Sequence, residues 1–565
     1  MKAISFLMIA LTAVVLGAAE RPDSRVRTQV EPVRVVWATN AANAAVLASP
    51  RLGQVPEGRF LDGSGCRLSS ANGLSAVVLD FGRELYGSLA IGNGAAGRGA
   101  KVRIRFGESV AETLAELGER GAQNDHSLRD FTAELPWAGS REFGPSGFRF
   151  VRIDAVAGTP DLQFVRAVSL MRPMKPLGAF RCSDERLNRV FETAVRTVHL
   201  CCQDYLWDGI KRDRLVWLGD MHPETRTLLS VFGAAPVLKD SLEYAIATTP
   251  PDTWMNTMQT YTLWWIRNLA EWCRYTGDFA LARKHAEYLE KTFDHVLTGF
   301  DADGLWTAGT FLDWPTKHNR EAEVAGTQGL ALMAAEDAAF LARGIGAAAL
   351  AAKVDGMAAR LKGRVLDPAG EKSAAALLAL AGLRTPQEMY DSVLSRRGHE
   401  GVSTFYGYYM LEAMSAANEN ARALGTVRDY WGAMLDVGAT SFWEDFKIGW
   451  TNNCFRIDEM PVAGRKDIHG DYGEFCYRGF RHSLCHGWSS GPAAWLIAHV
   501  LGLRSVEPGC KAVRVDPFLG DLDWAEGSLA LPTGEAVRIR VTKNADGSLT
   551  ADVNAPDWVR IVRAR

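Results

Sequence analysis

Across 183–503 the sequence repeats Ala, Leu, Glu and Arg at helical spacing, and this stretch limits the fold more than any other feature. In 187–198 (Leu-Asn-Arg-Val-Phe-Glu-Thr-Ala-Val-Arg-Thr-Val) apolar side chains return every three or four positions, the period of one helix face. The segments 264–275 and 282–293 read as a helical hairpin broken at Gly277-Asp278, and 328–341, 346–361 and 408–423 as further helices. Around ten to twelve helices fit this region at ordinary helix lengths. A toroid of helical hairpins, the (α/α)6 barrel, packs that many economically. The alternative is a helical solenoid, but no fixed 34- or 40-residue repeat supports it.

The flanks have a different texture. At 75–82, 100–106 and 147–154 apolar residues alternate or run together between Gly and Asn turns, as short strands of a β-sandwich do. Pro173 and Pro176 mark a linker. After Glu507-Pro508 the strand pattern returns at 512–517, 527–531 and 536–541, and a turn at 544–547 precedes 549–553. A chain of 565 residues exceeds one ordinary core. The expected architecture is multidomain: an N-terminal β-sandwich over 30–175, a central all-α (α/α)6 barrel over 176–503 and a C-terminal β-sandwich over 507–565.

Residues 1–19 read as a signal peptide. Lys2 supplies a positive start, 4–16 an apolar stretch, and Gly17-Ala18-Ala19 the small residues of a cleavage site, which predicts a mature chain starting at Glu20 and a periplasmic or secreted location. A retained N-terminal anchor is the alternative. With a net charge of −3 and acids and bases interspersed, no basic stripe argues for nucleic acid or an anionic membrane. The nine Cys form neither a disulfide framework nor a zinc pattern; Cys454 and Cys476 could bridge a loop, and most of the others read as buried thiols. Seventeen Trp suit sugar-binding clefts, where aromatic faces stack on pyranose C–H faces, or simply a large core.

The densest polar cluster is Asp208-Gly-Ile-Lys-Arg212-Asp213-Arg214-Leu-Val-Trp217-Leu-Gly-Asp220. Asp and Arg together fix ring hydroxyls by charge-assisted hydrogen bonds, and one acid among them could protonate a leaving oxygen. A salt-bridge knot is the plain alternative. A second cluster, Gly438-Ala-Thr-Ser-Phe-Trp443-Glu444-Asp445, places a Glu after an aromatic run, where burial would raise its pKa; an N-cap or surface acid is the alternative. Two acidic clusters far apart, each beside Trp, fit the two-carboxylate logic of glycoside hydrolysis. Weaker signals are Phe311-Leu-Asp313-Trp314-Pro315, Met255-Asn-Thr-Met-Gln-Thr-Tyr261, and His486 with Trp488 in Ser483-Leu-Cys-His-Gly-Trp-Ser-Ser-Gly-Pro492. A lone His is more often structural than catalytic.

These residues resemble the bacterial α-L-rhamnosidases of glycoside hydrolase family 78, which carry DCPQRDERxxWxGD, a later GATxxWE, a GDW between them and a His before the last barrel helix. The matching stretches are 208–220, 438–444, Asp313-Trp314 (after Leu312 rather than Gly) and His486. The stretches 79–87 and 517–527 resemble the family's flanking domains. The resemblance implies inverting removal of terminal α-L-rhamnose from glycosides or polysaccharides, with Glu444 as base and no metal or organic cofactor. Asp208, Arg212, Asp220, Asp313, Trp443 and His486 would bind the sugar, with Trp217 and Trp314 packed on its ring and C6 methyl. The motif here is one residue short. Counted back from Trp217, Asp213 stands where the family's proton-donating Glu stands; counted forward from Asp208, it stands at the preceding substrate-binding Asp. Asp213 is the favoured acid, because the short form otherwise has no donor. The rivals are an (α/α)6 glycosidase of other specificity and a lapsed enzyme that only binds rhamnosides.

Overall fold

The computed structural model describes residues 23–49, 61, 64–126, 128–364 and 366–563. The expected signal peptide lies outside them. The chain is multidomain, with a helical portion between sheet-rich portions.

Nine strands form the first sheet: β1 Val26–Val30, β2 Arg34–Thr39, β3 Ala41–Ala42, β4 Cys66–Leu68, β5 Ala76–Asn93, β6 Lys101–Gly107, β7 Asp130–Glu134, β8 Gly139–Ala157 and β9 Asp161–Met171. Their order is β3-β4-β9-β5-β8-β6-β7, with β1 added to β9 and β2 to β5. The long strands β5 and β8 pair from Ala76↔Asp154 to Asn93↔Gly139, with breaks in register after Asp80 and Gly87. Gly87 is required there: a Cβ would stand 2.0 Å from the Val168 carbonyl oxygen. Val77, Leu79, Phe81, Phe106, Phe148 and Val151 fill a core on one face. Val78 and Phe150 meet Val110 on the other. Burial on both faces explains why 75–82 runs apolar instead of alternating.

In the helical portion six helices follow one another in contact: α1 Met221–Val231, α2 Gln259–Thr276, α3 Arg320–Ile345, α4 Lys372–Leu380, α5 Gly407–Ala416 and α6 Gly491–Trp495. The last packs back on the first, which closes the circuit. Helix α3 is buried on nearly every side, as its Ala- and Gly-rich sequence allows. At Gly329 a Cβ would lie 2.9 Å from the Leu377 oxygen of α4, so the two helices meet backbone to backbone. Glu185–Cys201 packs on α1, Pro236–Thr248 and Ala286–Leu297 on α2, Ala348–Lys362 on α3, Pro386–Met389 on α4 and Asn420–Thr426 on α5.

Three expected helices differ in detail. The stretch 282–293 is broken at His285 (φ −114°, ψ 28°), between Ala280–Lys284 and Ala286–Leu297. The stretch 408–423 is two helices, because Asn418 turns left-handed (φ 60°) between them. The helix expected from 346 begins at Ala348, because Gly346 ends α3 at φ 80°.

At the C-terminal end Trp524–Ala530, Ala536–Lys543 and Leu549–Asn554 form a sheet whose first strand is Ala179–Cys182, from before the helical portion. Leu503–Ser505, Ala512–Val515 and Arg560–Arg563 form a second, three-stranded sheet. Val513, Leu529, Val537 and Ile539 belong to the same continuous core as Trp264 and Leu330, whereas the N-terminal sheet has a core of its own. No helix among the described residues is long and apolar enough to cross a membrane. All nine cysteines are free thiols, eight of them buried, so Cys454 and Cys476 form no bridge.

Candidate active site

Three loops meet at one end of the helical circuit. The first, 202–220, runs into α1; the second, 437–447, holds Glu444; the third, 482–488, leads to α6. Backbone bonds lace them together. Gly209 bridges to His486, the Gly487 N–H donates to the Asp208 oxygen at 2.7 Å, the His486 N–H to Phe442 at 2.9 Å and the Glu444 N–H to Ser483 at 3.0 Å. They wall a cavity of about 250 Å³. That is below the 300–1,000 Å³ of drug-sized sites and on the scale of a single sugar.

The N-terminal portion forms the bed under all three loops, and its Glu108 accepts the Leu484 N–H of the third at 2.7 Å. Ser109 caps a short helix, Val110–Leu114, whose Glu112 stands beside Glu108. Both carboxylates hold Lys211, at 3.3 and 2.9 Å, and the same ammonium donates to the oxygens of Phe480 and His482. Glu108, Glu112 and His469 are close enough together to ligate a cation, but the Lys211 ammonium already supplies the positive charge there. Arg149 donates to the Gly438 oxygen at 3.0 Å, and the Glu84 N–H to Thr440 at 2.8 Å, so the Glu444 loop rests on the same sheet.

Glu444 is buried. Burial alone would raise its pKa, but the Arg212 guanidinium, the charge of His486 and the Ser483 N–H outweigh it and hold the carboxyl at about 2. The Arg212–Glu444 contact is 2.7 Å and the Ser483 N–H bond 3.1 Å. The expected upward shift is therefore reversed, because a buried carboxylate with a guanidinium and a backbone N–H as partners is better solvated than one against aromatics.

His486 is the counterpart. Burial disfavours its charge, but Glu444, Asp220 and Asp208 raise it to about 9, so it stands as an imidazolium. Its Nε2 donates to Asp220 at 3.0 Å, and the Tyr261 hydroxyl donates to the other Asp220 oxygen at 2.9 Å. Asp208 accepts the Leu215 N–H at 2.8 Å on one oxygen and leaves the other, also buried, without a partner. Burial, aided by the charge of Asp220, pushes the Asp208 carboxyl well above the usual carboxylate range.

The short motif makes its turn with two consecutive left-handed residues, Asp213 (φ 53°) and Arg214 (φ 55°), and the Arg214 N–H folds back to the Arg212 oxygen at 2.7 Å. Such conformations cost on the order of 1 kcal/mol or more each for residues with a Cβ. Asp213 stands at the cavity wall with its side chain 19% exposed.

Asp208, Arg212, Asp213, Trp217, Asp220, Trp314, Glu444 and His486 all line the cavity. Asp313 and Trp443 do not. Asp313 turns away from its neighbour Trp314 and accepts hydrogen bonds from Ser403 (2.6 Å) and Ser373 (3.2 Å), with its carboxyl raised by burial to about 7. Trp443 turns away from Glu444 and packs edge-on against Phe446 and His482. In each of these two pairs it is the neighbour, Trp314 or Glu444, that faces the cavity.

His126, Cys476, Tyr477 and Arg481 also line the cavity and were not singled out by sequence. Tyr477 lies under the Arg212 guanidinium, 5.2 Å from ring centre to charge. For Cys476, Tyr477 and Arg481 the one available signal was the density of aromatic and polar side chains in Phe475-Cys-Tyr-Arg-Gly-Phe-Arg-His482.

Residues 175–362 match the family model described as the bacterial alpha-L-rhamnosidase 6 hairpin glycosidase domain. Residues 71–171 match that of the bacterial alpha-L-rhamnosidase concanavalin-like domain. An alpha-L-rhamnosidase of Formosa agariphila is 30% identical over 81 residues, 14% of this chain and 8% of that protein. Among solved structures, a GH78 family rhamnosidase of Bacillus sp. GL1 superposes with a TM-score of 0.71 at 22% identity, covering 87% of this chain and 53% of that one. A Klebsiella oxytoca rhamnosidase with rhamnose bound gives 0.65 at 21% identity, over 84% of this chain and 96% of that one. The chain thus spans about half of the Bacillus protein, and at these identities the likeness is one of fold.

Proposed function

We propose that this chain, which carries the six-hairpin glycosidase and concanavalin-like domains of the bacterial α-L-rhamnosidases, removes terminal α-L-rhamnose from glycosides or polysaccharides by inverting hydrolysis. The observation that carries the reading is Glu444: a buried carboxylate held ionised in the cavity that Asp213, Asp208 and three Trp also line. In this mechanism Asp213 gives its proton to the aglycone oxygen while Glu444 takes one from a water on the opposite face of the ring, and the C–O bond to the aglycone breaks as the bond to water forms. Asp208, Arg212, Asp220 and His486 hold the ring hydroxyls, and Trp217 and Trp314 pack on the ring and its methyl. Closure of the six-helix circuit supports an (α/α)6 barrel over a solenoid, with the flanking sheets as β-sandwiches. The N-terminal sequence supports export to the periplasm or medium.

A second assignment has one observation on its side. Asp208 keeps an unpartnered buried oxygen and a carboxyl pushed well above its ordinary range, both properties of a proton donor. Kinetics on aryl α-L-rhamnosides separate the two. Asp213→Asn and Glu444→Gln should each lose on the order of 10² to 10⁴ in rate, with partial rescue of Asp213→Asn alone by a good leaving group. If Asp208→Asn shows that rescue instead, Asp208 is the acid. A first product of retained α configuration, followed by NMR, rules out inversion, and binding of rhamnose without turnover selects a lapsed enzyme.

A further inference from the structure

Asp213 has a partner from another domain. The loop before β7 carries His126 to the mouth of the cavity, where its Nδ1 lies 2.9 Å from Asp213 Oδ1. The loop is held in shape by Asn124, whose side-chain oxygen accepts the N–H groups of Arg129 and Asp130, both at 3.0 Å, and whose amide donates to the Asp130 oxygen at 2.8 Å. It is tied to the motif a second time by Arg214, which donates to the His126 carbonyl at 2.7 Å. On the far side of the ring, Arg481 places an N–H 3.2 Å from Nε2. The same guanidinium is anchored by the Cys476 oxygen at 2.8 Å and by Asp125 at 3.3 Å. Asp125 itself comes within 3.4 Å of Nε2.

A guanidinium only donates, so beside Arg481 the Nε2 is the accepting nitrogen and Nδ1 carries the hydrogen. The Nδ1–H then donates to Asp213 Oδ1. A carboxylic acid that accepts a hydrogen bond on one oxygen keeps its own proton on the other, and here that is Oδ2. The shortened motif makes this contact possible, because the two left-handed residues bring Asp213 to the wall that the N-terminal domain supplies.

We infer that His126 is the positioning residue of the proton donor: it fixes the rotation of the Asp213 carboxyl and reserves Oδ2 for the proton that goes to the aglycone. This rests on the reading of Asp213 as the acid. The two are tested together by measuring kcat/KM of the full-length protein on a dinitrophenyl and on an unactivated phenyl α-L-rhamnoside. His126→Ala should lose about 10- to 100-fold on the phenyl substrate, within the range of a general-acid contribution, and at least tenfold less on the dinitrophenyl one. His126→Asn, whose amide N–H can reach Oδ1, should recover part of the loss. In the Asp213→Asn background, His126→Ala should add nothing. Equal losses on both substrates, no recovery with Asn, or a loss that adds to that of Asp213→Asn would overturn the inference and leave Asp213 as the acid. An Asp213→Asn variant as active as the parent on the phenyl substrate would instead remove the reading beneath it.

Discussion

Replacing Arg212 by Met removes the charge that keeps Glu444 ionised while retaining most of the side-chain volume. The two groups touch at 2.7 Å and both are buried. With charge centres about 4 Å apart and an effective dielectric near 20, the pair interaction is about 4 kcal/mol, or about three pH units. Glu444 lies at about 2 with Arg212 present, so in Arg212→Met it should titrate near pH 5. The sign follows from linkage. A carboxyl depressed in the folded state stabilises the protein above its unfolded pKa near 4.5, and loses that contribution as pH falls toward 2. In the variant the depression is gone, so stability at pH 7 also drops, by about 3–5 kcal/mol for a buried charge left without its partner. Two assays read this: kcat/KM against pH from 4 to 8 on an activated aryl rhamnoside, and urea unfolding at pH 7. The acid limb should move from below pH 4 to about pH 5, and Arg212→Met/Glu444→Gln should regain most of the stability lost by Arg212→Met alone. An acid limb still below pH 4, with unfolding unchanged within about 0.5 kcal/mol, would refute the account of Glu444 as a base held ionised by Arg212.

Two further outcomes are expected. His486, raised from 6.5 to about 9, should contribute about 3 kcal/mol that is fully present below pH 6.5 and lost as pH rises through 9. Nitrogen-15 imidazole spectra should place its midpoint near 9 and show it lower in Asp220→Asn; a midpoint at 6.5 in the parent protein would contradict the pairing. Truncation after residue 506 should give insoluble or unstable protein, because Val513, Leu529, Val537 and Ile539 share the core of the helical portion. A soluble, active 20–506 fragment would show those sheets to be dispensable.

The sequence made the three site loops visible because their chemistry is local: Asp208, Arg212, Asp213 and Asp220 stand within one motif, and Glu444 and His486 within short ones. What it could not show are relations set by distant packing. Arg212 and Glu444 are 232 positions apart, so the sequence indicated burial for Glu444 but not the charge that reverses its effect. Asp313 and Trp443 have the right chemistry, but a one-residue difference in direction turns them from the cavity. His126 is one polar residue in a loop with no periodicity, and nothing local marks it. The N-terminal sheet was legible from its strands and turns, while Ala179–Cys182 was too short to show an alternating pattern, and the left-handed Asn418 within 408–423 left no break in helical spacing.

That short strand also bears on how the protein is made. Ala179–Cys182 leaves the ribosome long before Trp524–Ala530, the segment it pairs with, so the sheet cannot close until the whole helical portion has been synthesised. Pairings this distant in sequence are slow to form and leave an open edge in the meantime. Four residues offer little for another chain to pair with, and Arg181 sets an exposed charge between the inward-facing Phe180 and Cys182. Short, charged edges resist wrong partners. The nascent chain thus holds a place for its last strands with a segment too small to misassemble on.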